Sequence, residues 1–202
     1  MIVESPTYVG ALAAARTDKN QPQIATALSY QGDNAYYRGD LKAAAAAYRE
    51  SLQAALKSGD AHLVLLNKIN LAKLAVANGK FAAAANELQT LGAQADSLGL
   101  KYLSTQCLVL RGEALIGTKD FAGALKELKS GALRSEKLKL RALLAQSQYQ
   151  WGRALELSGK AADAQSHYEE ARRAATEAQK EAQNPAIEKR YDLAPIFAEK
   201  GK

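Results

Sequence analysis

The side chains that could carry out chemistry are few and far apart. Histidine occurs at His62 and His167, and the one cysteine is Cys107. A metal centre needs several ligands at defined spacings, and neither histidine sits at such a spacing from the other or from Cys107. Cys107 therefore reads as a small packing residue, and the two histidines read as surface groups. Trp151 reads as core. No glycine-rich phosphate loop follows a strand, because no run of alternating β-branched and aromatic residues forms one. The sequence thus predicts no catalytic residue, no metal and no cofactor. What remains is recognition, and its residues must be positioned by helices.

The helices are announced by composition and by a repeat. The four prolines, Pro6, Pro22, Pro185 and Pro195, all lie near the two ends. Between them alanine, leucine, lysine, glutamate and glutamine dominate, all good helix formers. Gly39, Gly79, Lys119 and Gly159 recur every 40 residues, and a fixed period of this length marks an array of helical repeats. The expected helix pairs are 22–38 with 41–57, 61–78 with 81–98, 101–118 with 121–137, and 140–158 with 161–183. Glycine suits each junction because it takes the left-handed conformation that ends a helix. Lys119 must accept strain there or form a different turn.

Stacked on this period, Gly32, Ala72, Gly112 and Gly152 make a small column on the first helices. Ala44, Ala84, Ala124 and Ala164 make one on the second helices, followed by the large column Tyr48, Leu88, Leu128 and Tyr168. Small facing large lets paired helices approach, and apolar positions at helical spacing are core. A pair cannot bury its apolar face alone, so each must stack on the next. Residues 7–17 align with a second helix, as an incomplete repeat or a cap. Tyr191, Leu193, Ile196 and Phe197 could cover the last hydrophobic face.

Several function classes are disfavoured by bulk properties. The net charge of +6 allows attraction to an anionic partner. However, the basic residues Lys126, Lys129, Arg134, Lys137, Lys139 and Arg141, and the set Arg172, Arg173, Lys180, Lys189 and Arg190, are interleaved with glutamates, as on solvated helix faces. That argues against nucleic acid. No apolar run is long enough for a membrane span, and no basic segment precedes the short N-terminal apolar run as in a signal peptide. The lone cysteine fits a reducing, cytoplasmic setting.

These columns resemble the tetratricopeptide repeat (TPR) family. The carrying residues are Gly32, Gly112 and Gly152, the turns Gly39-Asp40-Leu41, Gly79-Lys80-Phe81, Lys119-Asp120-Phe121 and Gly159-Lys160-Ala161, and the alanine and aromatic columns above. The resemblance covers 23 to about 180, with two departures. The period is 40 rather than 34, and Leu56, Asp96, Glu136 and Thr176 stand where the motif closes with proline. It implies an all-α superhelix of about four hairpins plus terminal capping helices. On this reading 1–21 is a partial repeat or cap, 22–183 holds repeats at about 22–60, 61–100, 101–139 and 140–183, and 184–202 is a cap or tail.

By the same resemblance the first helices line a concave groove that binds a peptide or partner domain. The implied contacts are Tyr36, Tyr37, Ile69, Lys73, Glu113, Tyr149 and Arg153. Chaperone-tail binding is not implied, because Ser29 and Asp33 stand where that subtype has lysine and asparagine. The expected function is a non-catalytic protein–protein interaction scaffold, whose end faces could also self-associate. The alternative is a regulatory or sensory tail of a larger bacterial signalling protein, a kinase or transcription regulator.

Overall fold

The computed structural model describes residues 6–198, and it is all-α, without a strand among those residues. Its helices are α1 (Pro6–Thr17), α2 (Gln21–Tyr37), α3 (Leu41–Ser58), α4 (Ala61–Ala77), α5 (Phe81–Ser97), α6 (Lys101–Gly117), α7 (Phe121–Lys137), α8 (Arg141–Leu157), α9 (Ala161–Glu181) and a short α10 (Ala194–Ala198). A single 3-10 turn, Pro185–Lys189, separates the last two. The expected helix pairs match α2 to α9 to within two residues at each end. Tyr8, aligned with the Tyr48 column, has a side chain outside the described residues.

One turn closes nearly every helix. Backbone φ is positive at Lys19, Gly39, Gly59, Gly79, Gly99, Lys119, Lys139 and Gly159, which is every twentieth residue. At the first complete junction the Gly39 N–H donates to the Tyr36 carbonyl and the Asp40 N–H to the Ala35 carbonyl, both at 2.9 Å. This is the paired hydrogen-bond pattern that satisfies the last carbonyls of a helix. The same two bonds form around Lys119, from Lys119 to Ile116 and from Asp120 to Leu115. Lys119 therefore adopts the glycine geometry, with φ +65, rather than a different turn. The joins between pairs are the same turn as the joins within pairs. Asn20, Asp40, Asp60 and Asp120 then cap the following helices by accepting the N–H three residues on. Each such cap satisfies a donor that the helix cannot.

The chain forms two compact units, residues 1–74 and 75–202, and the division falls inside α4 after Leu74. It coincides with no repeat boundary of the sequence reading. In the first unit, α1 and α3 pack on α2. Ala15, Ile24, Ala25, Leu28, Ala54, Ala55 and Leu63 form one core cluster, and Ala35, Tyr36, Ala44, Tyr48 and Leu74 another. In the second unit each helix from α5 to α9 packs on its neighbour, and α6 also meets α8. Its clusters centre on Ile116, Ala124, Leu128 and Ala154, and on Leu144, Ala145, Ala171 and Ala174.

The columns do what their sizes require. A Cβ built on Gly32 would lie 2.5 Å from the Tyr48 ring. One on Gly112 would lie 2.5 Å from Leu128, and one on Gly152 2.7 Å from Tyr168. Ala44, Ala84, Ala124 and Ala164 are all buried. Each fully buried leucine such as Leu128 contributes about 1.5–3 kcal/mol. The C-terminal segment folds back on α8 and α9, where Ile187, Leu193 and Ile196 are buried and Phe197 is partly covered. Tyr191 departs from the expected cap, since it remains exposed.

Candidate partner-binding surface

The candidate residues fall into two groups, one in each unit. In the first unit the absent side chain at Gly32 lets the Tyr48 ring of α3 lie across α2. Its hydroxyl then donates to Asp33 Oδ1 at 2.6 Å. Lys73 of α4 brings its Nζ to 3.7 Å from the same carboxylate oxygen and donates to the Tyr48 hydroxyl at 3.4 Å. It also lies 4.1 Å above the centre of the Tyr36 ring. A buried ammonium is tolerated only when such groups replace its water. Burial, reinforced by the Asp33 carboxylate, pushes the Tyr48 phenol far upward, so it stays a donor.

This cluster corrects part of the groove expected in the first unit. Tyr36 and Lys73 are buried, and Ile69 has no exposed surface. Ile69 is therefore a core residue, because its side chain points into the helix packing. Lys73 is a structural cation held by Asp33, Tyr36 and Tyr48. Of the four candidates here only Tyr37 is half-exposed, edge-on to Tyr36 at 5.9 Å.

In the second unit Tyr149 and Arg153 remain half-exposed, while Glu113 is partly exposed as a residue but its carboxyl is buried. Tyr149 packs 5.7 Å from Tyr168, whose hydroxyl donates to Glu156. Arg153 is fixed by a 2.9 Å bond to Gln150. Burial raises the Glu113 carboxyl above its ordinary range, and Asp192 adds to the rise while Arg153 opposes it. Asp192 is in turn clamped by Arg190 at 3.0 and 2.6 Å and by Gln146 at 2.7 Å.

The sequence reading placed Gln146 on this face but missed Gln150 and Asp192, which set its surroundings. One signal was visible. Asp33, Lys73, Glu113 and Arg153 occupy one column of the repeat with alternating charge, and Asp33–Lys73 is an ion pair.

The residues first considered for chemistry have other roles. Cys107 is buried beside Gly92, and its thiol is pushed up to about 12, chiefly by burial. His62 is exposed. His167 is not a simple surface group, because it stacks on Trp151 at 4.3 Å and pairs through Nδ1 with Gln148. Burial lowers its pKa, with Asp163 and Glu170 opposing. No group of three His, Cys, Asp or Glu among the described residues could hold a metal ion. No helix there is long and apolar enough to cross a membrane. No protein-family model matches the chain, and no curated protein matches it either.

Proposed function

We propose that this chain is a TPR-like, non-catalytic protein-interaction module. It takes a peptide or partner domain on the first-helix face of its second unit. The observation that carries this reading is the set Glu113, Tyr149 and Arg153. An aromatic and a base are held half-exposed on α8, fixed by Tyr168 and Gln150, beside the acid Glu113 of α6, whose carboxyl is buried. Aromatic and arginine side chains anchored on rigid elements are the usual carriers of binding energy. A preformed face also loses little conformational entropy when a partner arrives.

The test is affinity capture with the full chain and with a Glu113→Ala/Tyr149→Ala/Arg153→Ala variant, both checked for helical content. A protein retained by the first and lost by the second supports the assignment. Identical captures by two equally folded baits would defeat it. Tyr36 and Lys73 are unsuitable targets, because their removal breaks the buried cluster of the first unit.

A further inference from the structure

The charged column of the repeat is completed differently in the two units. In the first, Asp33 receives the Tyr48 hydroxyl at 2.6 Å and stands 3.7 Å from the Lys73 ammonium. In the second, Glu113 occupies the position of Asp33, but Leu128 of α7 stands in the column of Tyr48 and brings no hydroxyl. Arg153, the counterpart of Lys73, is bonded instead to Gln150 at 2.9 Å. A second acid is added by the C-terminal segment. Residues 184–198 fold back on α8 and α9, and Asp192 accepts from Gln146 Nε2 at 2.7 Å. Gln146 is one turn from Tyr149 and two from Arg153 along α8, so the segment lies at the edge of the first-helix face.

The charges that act on the Glu113 carboxyl come from two elements, Arg153 of α8 and Asp192 of the C-terminal segment. Asp192 is itself clamped by Arg190. From the flanking helices, Glu127 of α7 and Gln89 of α5 are both taken by Arg111, two residues from Glu113 and so on the opposite side of α6. Burial and Asp192 hold Glu113 toward its neutral form, and Arg153 opposes them. An ionised Glu113 therefore needs water, or relief from Asp192. The element best able to give way is the one that carries Asp192. It joins a five-residue 3-10 turn to a five-residue helix, whereas α6 and α8 run for 17 residues each. Short elements with few buried contacts open at the lowest free energy.

We propose that residues 184–198 form a latch at the edge of the first-helix face of the second unit, seated while Glu113 is neutral and released as Glu113 takes up charge beside Asp192. Ile187, Leu193 and Ile196 supply the seating through the apolar cluster with α8 and α9. Ionisation sets a second carboxylate beside Asp192, with Arg190 already engaged by Asp192 and Arg153 by Gln150. Lifting the segment takes one carboxylate away and lets water reach the other. The seated chain thus holds the Glu113 proton more tightly than the lifted one. Seating is strongest below the ordinary glutamate range and weakens as pH rises through the raised value of the seated state. Lifting also frees Gln146 for a partner. That last consequence rests on the function proposed above, whereas the latch itself does not.

The experiment is amide hydrogen exchange of the full chain from about pH 4, the ordinary glutamate range, to about pH 8. It is read as protection factors, so that the intrinsic pH dependence of exchange drops out. The amides of Leu193, Ala194, Ile196 and Phe197 donate to the Arg190 and Leu193 carbonyls. They should lose protection as pH rises, by at most about tenfold per pH unit because one proton is involved. Amides in the middle of α9 should not follow. Glu113→Gln should abolish the pH dependence and leave the segment protected, and Asp192→Asn should reduce it. No partner enters this measurement, so the capture experiment can fail while the latch stands, and the reverse. Protection that is flat with pH in wild type, that falls equally in α9, or that falls undiminished in Glu113→Gln or Asp192→Asn would each overturn the proposal.

Discussion

At Gly32, Gly112 and Gly152 a neighbour's side chain occupies the place where a methyl group would stand. Gly112→Ala should therefore destabilise the fold by about 1–3 kcal/mol through overpacking, read as a lower urea midpoint. Leu128→Ala should also destabilise, by about 2–5 kcal/mol. The double variant should cost less than the sum of the two, because the smaller neighbour admits the new methyl. These glycines were legible in the sequence, since small and large columns repeat at constant spacing. The burial of Lys73 was not, because its shelter comes from Tyr36, Tyr48 and Asp33 on two other helices. Glu113 offers a pH test. Its carboxyl is raised in the fold, so the native state holds a proton more tightly than the unfolded chain. Its contribution to stability is then present below the unfolded pKa and is lost as pH rises through the folded one. Urea midpoints of wild type should fall relative to Glu113→Gln as pH climbs from the ordinary glutamate range.

The helix-closing turn decides what happens at the scale of the element. Its hydrogen bonds are backbone to backbone, so Leu100 and Leu140 can follow it as readily as Asp40 does. That explains why the 40-residue period was legible and the 20-residue one was not. The joins at Gly99 and Lys139 lack a polar capping residue, and Lys139 lacks even the glycine. Lys139→Gly should raise stability by about 1 kcal/mol, the strain of a side chain in the left-handed region. Asp120→Ala should lower it by about 1 kcal/mol by leaving the Gly123 N–H without its acceptor. The α8–α9 pair carries its own reporter, because Trp151 is the only tryptophan and stacks on His167. The lowered His167 pKa means that the unfolded chain protonates first as pH falls. Stability from this pair should thus decline below the ordinary histidine range, and the Trp151 emission should change as His167 finally charges.

Across the whole molecule, the C-terminal segment is the part whose role depends most on a few side chains. Leu193 and Ile196 are fully buried against the cluster of Leu144, Ala145, Ala174 and Ala175. Removing 184–202 should cost about 3–6 kcal/mol from those two residues and expose an apolar surface that binds a hydrophobic dye. An unchanged thermal midpoint would refute that. The sequence foretold this cover because Asn184-Pro185 breaks a charged helix just before an apolar run. It did not foretell Asp192, whose partners Gln146 and Arg190 meet it only after the chain folds back.

The helices α4 to α8 each span 17 residues, and the same reversal closes them at both ends. Chain direction therefore flips with every helix. A tandem copy of a single helix and its turn would reverse the direction of everything downstream. A tandem copy of 101–140 would restore direction, so a molecule of this kind can be lengthened in even steps and is frustrated by odd ones.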